Sequence, residues 1–303
     1  MRLELVLVIY RVDSPIAKEA AFYCSENLQS KGIEVFIQES KLIKIPVEEI
    51  ISTQQKKPNL AIILGGDGTV LDAARQLCMY EIPILSFNVG GNLGFLTHDQ
   101  ELLDNEHLWQ DLVSDQFLIE KRMMIEATIG DSDKNDSKVK SKRYWALNDF
   151  YLRVFGEELS PTCTLSLEIN GEPVDEYKGD GLILATPTGS TAYAMASGGP
   201  ILHPSIEGII ITAICPMSLS SRPTVVPANS ELVIKLINSR SKQIKLWQDG
   251  SLACILETSN RCTIKRSKMP AKMVVLKEKS SYYKTLRKKL HWGGNISTNS
   301  RRQ

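Results

Sequence analysis

Asp67 stands between Gly65-Gly66 and Gly68-Thr69, directly after the apolar run Leu60–Leu64. Glycines on both sides of a single carboxylate let the main chain turn tightly and let a ligand come close to it. The helical pattern that follows from Val70 would aim free N–H groups and the positive end of its dipole at the same spot, which suits phosphate. A carboxylate repels phosphate, so Asp67 needs a task of its own. It can hold Mg²⁺, or accept a hydrogen bond or a proton from a hydroxyl group. The plain alternative is a Gly-Asp-Gly turn capped by Thr69, because so short a motif depends on its context.

A second stretch, Lys178-Gly-Asp-Gly-Leu-Ile-Leu-Ala-Thr-Pro-Thr-Gly-Ser-Thr-Ala-Tyr193, runs on to Gly198-Gly199-Pro200. A strand over 182–185 leads into a turn in which Thr186, Thr188, Ser190 and Thr191 offer hydroxyls that both donate and accept. Ala192–Ala196 can then start a helix. Asp180 sits between glycines much as Asp67 does. Such hydroxyls fit a ribose, an amide or a base edge; alternatively they bond their own backbone. The pair Asn148-Asp149 interrupts the apolar stretch Tyr144–Val154, read as one strand. Polar groups inside a strand are costly to bury unless satisfied. Either one of them faces a ligand or another loop, or strand alternation turns one to solvent.

These residues need a scaffold. Strands are expected at 3–10, 33–38, 60–64 and 83–87, with helices from Ser14-Pro15 to Gly32, over 46–55, over 70–79 and over 100–113. Alternating strands and helices imply a parallel sheet with helices on both faces, and ligands lie beyond the carboxyl ends of such strands. The turn at 65–69 and a second glycine loop, Asn88-Val-Gly-Gly-Asn-Leu-Gly94, both fall at those ends. From Phe117 to about Met273 the chain reads as short strands: 122–128, 144–154, 164–169, 182–185, 208–214, 231–237 and 243–247. Asn170-Gly171, Gly179-Asp180-Gly181 and Asp249-Gly250 supply the tight turns between them. The polar insert 131–143 reads as a mobile hairpin loop, 282–290 as a short basic helix and 296–303 as a disordered tail. The division expected is an α/β domain over 1–116 with 280–295 packing back on it, then a β-rich domain over 117–279.

The 303 residues are 43% hydrophobic and 23% charged, with net charge +1, so no global field selects a polyanionic partner. Thirteen of the 36 Lys and Arg residues but a single acid, Glu278, fall from Arg261 onward. A basic end of this kind can face nucleic acid, or simply face an acidic body of the same chain. The six cysteines form no CxxC pair, and with four histidines a zinc site is not expected. Glu4 interrupts the first apolar run, which lacks the marks of a secretory signal, and no stretch approaches the roughly 20 residues needed to span a bilayer. The expectation is a soluble, cytoplasmic protein with no membrane or nucleic-acid partner.

The chain resembles the NAD kinase family. The likeness covers Gly65–Thr69, Asn88–Leu96, Asn148-Asp149, Gly179–Tyr193 with Gly198–Pro204, Pro216–Pro227 and Tyr283–Gly293. The long stretch DGLILATPTGSTAY is its specific part, since diacylglycerol kinases and phosphofructokinases carry similar Gly-Gly-Asp-Gly turns. The resemblance implies an N-terminal α/β domain, a C-terminal β-sandwich-like domain and a chain end that packs back on the first. It implies transfer of the ATP γ-phosphoryl group to the 2′-hydroxyl of the adenosine ribose of NAD, with a divalent metal, Mg²⁺, and a homodimer or homotetramer. By position, Asp67 is the catalytic carboxylate and Gly68 its backbone neighbour. Asn148 and Asp149 hold an adenosine ribose, and Lys178 and Asp180 line the nicotinamide side. Thr191, Ala192, Tyr193 and Ala196 contact the adenine end. Asn92, Met217 (where a histidine is common) and Asp149 (where glutamate is commoner) depart from the family pattern. A lipid or sugar kinase sharing the glycine–aspartate turn, or a non-enzymatic nucleotide-binding module using the basic end, are the other readings. The absence of a GK[ST] loop and of GxGxxG excludes a P-loop enzyme and leaves a dehydrogenase without its usual fingerprint.

Overall fold

The structure, a computed structural model, describes residues 2–40, 47–91, 94–131, 142–154, 162–239, 243–276 and 282–290. The departure at Asn92, the insert 132–141 and the tail 296–303 lie outside the described residues. Two compact units emerge: Met1–Val70 with Ile84–Ile119 and Val274–Gln303, and Leu71–Pro83 with Glu120–Met273.

In the first unit the order is β1 (Leu5–Arg11), α1 (Pro15–Gln29), β2 (Glu34–Ser40), α2 (Val47–Gln54), β3 (Leu60–Leu64), α3 (Asp67–Leu77), β4 (Ile84–Asn88), β5 (His98–Asp99) and α4 (Glu106–Val113). Helix α3 begins here and continues into the second unit. These strands belong to a seven-stranded sheet in which β2, β1, β3 and β4 are parallel neighbours in that order, and β5 pairs in parallel with β4 off the main strand path. All five residues of β3 are buried, as a strand covered on both faces requires. Ser14 caps α1 by accepting from the Ala17 amide (3.3 Å), with Pro15 at the first turn. The helix lays Ala17, Ala21, Cys24 and Leu28 on the core formed by Val6, Val8, Ile62 and Leu64.

The chain continues with β6 (Leu118–Arg122), β7 (Ile125–Asp131), β8 (Lys142–Ala146), β9 (Asp149–Arg153), β10 (Cys163–Ile169), β11 (Glu172–Gly179), β12 (Gly181–Ala185), α5 (Tyr193–Ala196), β13 (Gly208–Ile214), β14 (Thr224–Pro227), β15 (Leu232–Ser239), β16 (Gln243–Gln248), β17 (Ser251–Glu257), β18 (Asn260–Arg266) and β19 (Ala271–Val275); β6 and β19 straddle the unit boundary and lie in the seven-stranded sheet, and the elements between them belong to the second unit. Its core is a sandwich of two six-stranded sheets, ordered β11-β10-β15-β18-β7-β8 and β14-β13-β12-β9-β16-β17. The strand pairings within both are antiparallel. Leu165, Leu167, Leu232 and Ile234 of one sheet bury against Phe150, Leu152, Leu182 and Leu184 of the other. Asn170-Gly171 and Asp249-Gly250 are hairpin turns with positive φ at both central residues (52° and 84°; 46° and 82°), the two-residue geometry that matches strand twist. The last helix, α6 (Tyr282–Leu290), belongs to the first unit and buries Leu286.

Four expected elements differ. Helix α3 starts at Asp67 rather than at 70, because the amides of Thr69 and Val70 already bond to Gly66 O (3.0 and 3.3 Å). Asp67 is thus in the first helical turn, where an acidic side chain complements the dipole. The helix expected over 100–113 is a short 3₁₀ turn and then α4, divided at Asn105, which is extended and caps the restart by accepting from His107 N (3.0 Å). The strand expected over 122–128 divides at Met123-Met124 into β6 and β7, which lie in different sheets. The strand expected over 144–154 divides at Leu147-Asn148 into β8 and β9, one in each sheet of the sandwich.

Ile62, fully buried in the middle of β3, offers a direct check on the first core. Ile62→Ala should cost about 2–5 kcal/mol, read as a lower denaturation midpoint for the first unit.

Candidate active site

In the first unit the Gly65–Thr69 turn leaves β3 beside the end of β4, tied by Gly65 N donating to Phe87 O (3.0 Å). The second glycine loop leaves β4, and its far end returns to the same place. The Ser86 hydroxyl donates to Leu96 O (2.5 Å), and β5 pairs with β4 at Phe87 and His98. Asp67 fastens the two loops together. Its Oδ2 accepts from Phe95 N (2.7 Å) and its Oδ1 from Leu96 N (3.0 Å). A Cβ on Gly94 would come within 2.0 Å of Asp67 Oδ1, so no larger residue fits there while the carboxylate keeps this position. Thr97 Oγ1 is buried next to the same point and has no hydrogen-bond partner among the described residues. Gly66 and Gly68, by contrast, face open space. Helix α6 supplies a cation: Lys289 Nζ lies 4.2 Å from the centre of the Phe95 ring. Desolvation lowers the Lys289 pKa, and the charge of Asp67 works in the opposite sense.

In the second unit the hydroxyl-rich bend is packed on Asn148. Thr186 N donates to Asn148 O (2.8 Å), the Thr186 hydroxyl donates to Leu147 O (2.5 Å) and itself accepts from Gly189 N (3.1 Å). A Cβ on Gly189 would overlap Asn148 O. Thr186, Thr188 and Ser190 are buried, and Ser190 bonds to Pro187 O (2.6 Å) and to the main chain of Leu202. These hydroxyls therefore hold the bend in shape, and the more exposed side chains are those of Thr191, Ala192, Tyr193 and Ala196. The Tyr193 ring stands edge-on to Tyr151 (4.9 Å, 78°), which in turn stacks on Trp247 (5.8 Å, 7°).

Asn148 and Asp149 sit at a turn that a third carboxylate creates. Asp249, fully shielded from solvent, accepts from the amides of Leu147 (3.0 Å), Asn148 (2.7 Å) and Asp149 (3.1 Å). Asp249 N donates back to Asp149 O (2.9 Å). Arg75, on the second half of α3, pairs with Asp249 (3.2 Å) and with Asp72. Removing one partner of a buried pair of this kind costs about 3–5 kcal/mol, because the other charge is left uncompensated. Asp149 is itself buried, and burial together with the neighbouring charge of Asp249 pushes its carboxyl up to about 8. Burial raises the Asp249 carboxyl as well, but Arg75 and the three amides work against that rise, whereas at Asp149 the charge of Asp249 adds to burial, so Asp149 is the member of the pair that carries a proton near neutrality.

Lys178 and Asp180 are not brought to the bend. They precede β12 while the bend follows it, and five residues of strand separate them by about 16 Å. Their turn is held instead by the Met217 stretch, with Met217 N donating to Lys178 O (2.8 Å) and Asp180 N to Ile214 O (3.0 Å). Among the described residues no three His, Cys, Asp or Glu side chains gather as a metal cage. Sequence reasoning missed Arg75, the structural role of Asp249, Lys289, Tyr151 and the amides of Phe95 and Leu96. Asp249-Gly250 was legible as a hairpin, but nothing in the dipeptide tells which way its carboxylate points.

The raised value of Asp149 has a sign that can be measured. Its folded pKa lies above its unfolded value near 3.9, so the folded state holds an extra proton between about pH 4 and pH 8. Stability is therefore expected to fall as pH rises through that window. Asp149→Asn should remove this part of the slope in denaturation curves taken from pH 4.5 to 8.5.

The N-terminal domain model of the ATP-NAD kinases matches residues 6–117, and the C-terminal domain model matches 148–276. "NAD kinase 1" of Prochlorococcus marinus is 53% identical over 300 residues, covering 99% of this chain and 98% of that protein. The crystal structure of yeast NADH kinase complexed with NADH is similar over 98% of this chain and 90% of its own, with a TM-score of 0.80 at 25% identity. An NAD kinase from Archaeoglobus fulgidus in complex with ATP shares the fold, with a TM-score of 0.68 at 24% identity over 95% of this chain and 98% of its own. Matched along nearly its whole length, with the glycine-bound Asp67 and the bend at Asn148 inside the matched domains, the chain belongs to the ATP-NAD kinase family.

Proposed function

We propose that Asp67 is the carboxylate at the reacting hydroxyl and that Asn148, Asp149 and the bend through Tyr193 hold the dinucleotide. As a family member the chain is an NAD kinase, which moves the terminal phosphoryl group of ATP to the 2′-hydroxyl of the adenosine ribose of NAD and yields NADP. The bond from the 2′-oxygen to γ-phosphorus forms, and the bond to the bridging β–γ oxygen breaks with its electron pair leaving on ADP. The hydroxyl proton passes to Asp67. A carboxylate is a far weaker base than the alkoxide it would have to create, so the proton moves late. A loose transition state asks for positioning and charge stabilisation more than for a strong nucleophile. The observation that carries this reading is the carboxylate clamp: two amides fix Asp67 where Gly66 and Gly68 leave room for a ligand. Each carboxylate oxygen keeps a lone pair to accept from a hydroxyl. Gly68 then offers its backbone to the substrate.

The donor's phosphates need cations. The residues fit a Mg²⁺ that arrives with ATP rather than a resident ion, since Mg²⁺ binds through substrate phosphates and one or two carboxylates. Asp67 is the carboxylate in reach of that turn, and the unsatisfied Thr97 hydroxyl is a further polar group there. Bound in this way the metal would neutralise charge on the triphosphate. Lys289 is a protein cation beside the same turn. At the other substrate, Asn148 and Asp149 hold an adenosine ribose, and Thr191, Ala192, Tyr193 and Ala196 contact the adenine end.

Lys178 and Asp180 line the nicotinamide side in this proposal, and their distance along β12 supports a homodimer or homotetramer in which a second copy supplies them. Met217 and Leu219, 59% and 94% exposed, provide apolar surface next to that turn. The division into 1–116 with 280–295 and 117–279 is kept as part of the proposal, supported by the two compact units. No described helix is long and apolar enough to cross a membrane. Six free cysteines support placement in the reducing cytoplasm.

The deciding experiment supplies purified protein with Mg-ATP and, in separate reactions, NAD, a sugar phosphate and diacylglycerol. NADP alone should appear; phosphorylation of the sugar or the lipid instead would point to the other kinase readings. Asp67→Asn should lower kcat by about 10²–10⁴-fold while NAD affinity stays within a few-fold; near-normal turnover would take Asp67 out of the chemistry. Gly94→Ala must displace the carboxylate, and a shift of about 1 Å at a reacting group can cost on the order of 10²-fold. Its kcat should drop accordingly with the thermal midpoint of the second unit unchanged.

A further inference from the structure

The Asp249–Arg75 pair has no access to a ligand, yet it governs the two side chains that the proposed function assigns to the ribose. Asp249 is fully shielded, and Arg75 is nearly so. A hairpin of the Asn-Gly or Asp-Gly kind does not need its acidic side chain turned inward. Here it is, and it gathers three successive amides, 147 to 149. Consecutive amides that converge on one anion give a concave main chain. Along a regular strand Asn148 and Asp149 would point to opposite faces. The concave turn between β8 and β9 replaces that alternation at the point where the Thr186 bend closes on Asn148 O.

We propose that Asp249, locked by Arg75, is a positioning residue of the ribose site: it shapes the main chain of Asn148 and Asp149, and its charge adds to burial in setting whether Asp149 donates or accepts a hydrogen bond. This rests on the reading of Asn148-Asp149 as the ribose-holding pair. Among the described residues the groups facing Asp149 are few. Asp249 comes from the β16–β17 turn, Arg75 with Asp72 from α3 lie behind Asp249, and Tyr151 from β9 is close enough for the Asp149 charge to raise its own pKa. Tyr151 stays a neutral phenol. Burial, and after it the negative charge of Asp249, keeps a proton on Asp149 near pH 7, where it presents an O–H to a ribose oxygen. Above about pH 8 the carboxylate forms, the donor is lost and a second negative charge enters the pocket.

The test is NAD binding to the full chain without ATP, by calorimetry from pH 6 to 9.5. The unmodified chain should bind NAD progressively more weakly above about pH 8, approaching tenfold per pH unit. Asp149→Asn, which cannot ionise, should bind with a level profile. Asp249→Asn keeps the shape and removes the charge; its weakening should begin at a lower pH than in the unmodified chain, with KM for ATP within twofold. A purely structural Asp249 would shift thermal stability and leave that midpoint where it was, and this result overturns the proposal. If Asp249→Asn does not fold, the unmodified chain still decides: affinity level across the whole range overturns it. Asn148→Ala separates the two layers. Unchanged NAD affinity in that variant would remove the ribose reading itself, whereas weakened affinity with a level profile in the unmodified chain would remove the proton-donor role alone.

Discussion

Carboxylates that collect neighbouring backbone amides set the geometry of both units. Asp67 takes the amides of Phe95 and Leu96, and Asp249 takes those of Leu147, Asn148 and Asp149. Hydrogen bonds to an ionised acceptor are about twice as strong as neutral ones. Consecutive amides cannot reach one carboxylate from a regular strand, so each clamp bends the chain where it forms. The bends are where the side chains proposed to bind substrate gather: the glycine loops in one unit, the Asn148 turn in the other. Neither clamp can be loosened cheaply, because an amide or carboxylate left buried without its partner carries the full cost of desolvation.

The glycines with no room for a side chain follow from the same constraint. Gly94 is small because the Asp67 carboxylate fills the space a Cβ would take, and Gly189 because the Asn148 carbonyl does. Gly66 and Gly68 differ, since nothing in the fold crowds them. In one motif, then, some glycines serve the packing of the protein on itself and others leave the turn open to a ligand. The hydroxyls of the bend divide similarly: Thr186 and Ser190 serve the main chain, and Thr191 faces outward.

Much of the scaffold was legible because its causes are local. Strand β3 and the helix α6 carry their whole signal in their own residues, and the two Asx-Gly hairpins announce themselves by a dipeptide. The breaks were not legible, because their causes are distant in sequence. The division at Leu147-Asn148 is made by a carboxylate about a hundred residues on, and within 144–154 an apolar pattern runs straight through it. The start of α3 at Asp67 depends on Gly66 O accepting from two amides, where the apolar period begins later. The candidate site divides the same way. Asp67 and Asn148-Asp149 stood out as polar residues in apolar or glycine-rich surroundings. Arg75 looked like an ordinary helical residue, and Asp249 like an ordinary turn.

A phosphotransferase without a P-loop lysine must find its positive potential elsewhere. In the proposed reading part of it comes from Lys289, held over the ring of Phe95. The same Phe95 whose ring faces the lysine gives its N–H to Asp67. A displacement of that residue would therefore disturb cation and carboxylate together, which in the proposed reading ties α6 to the site of phosphoryl transfer.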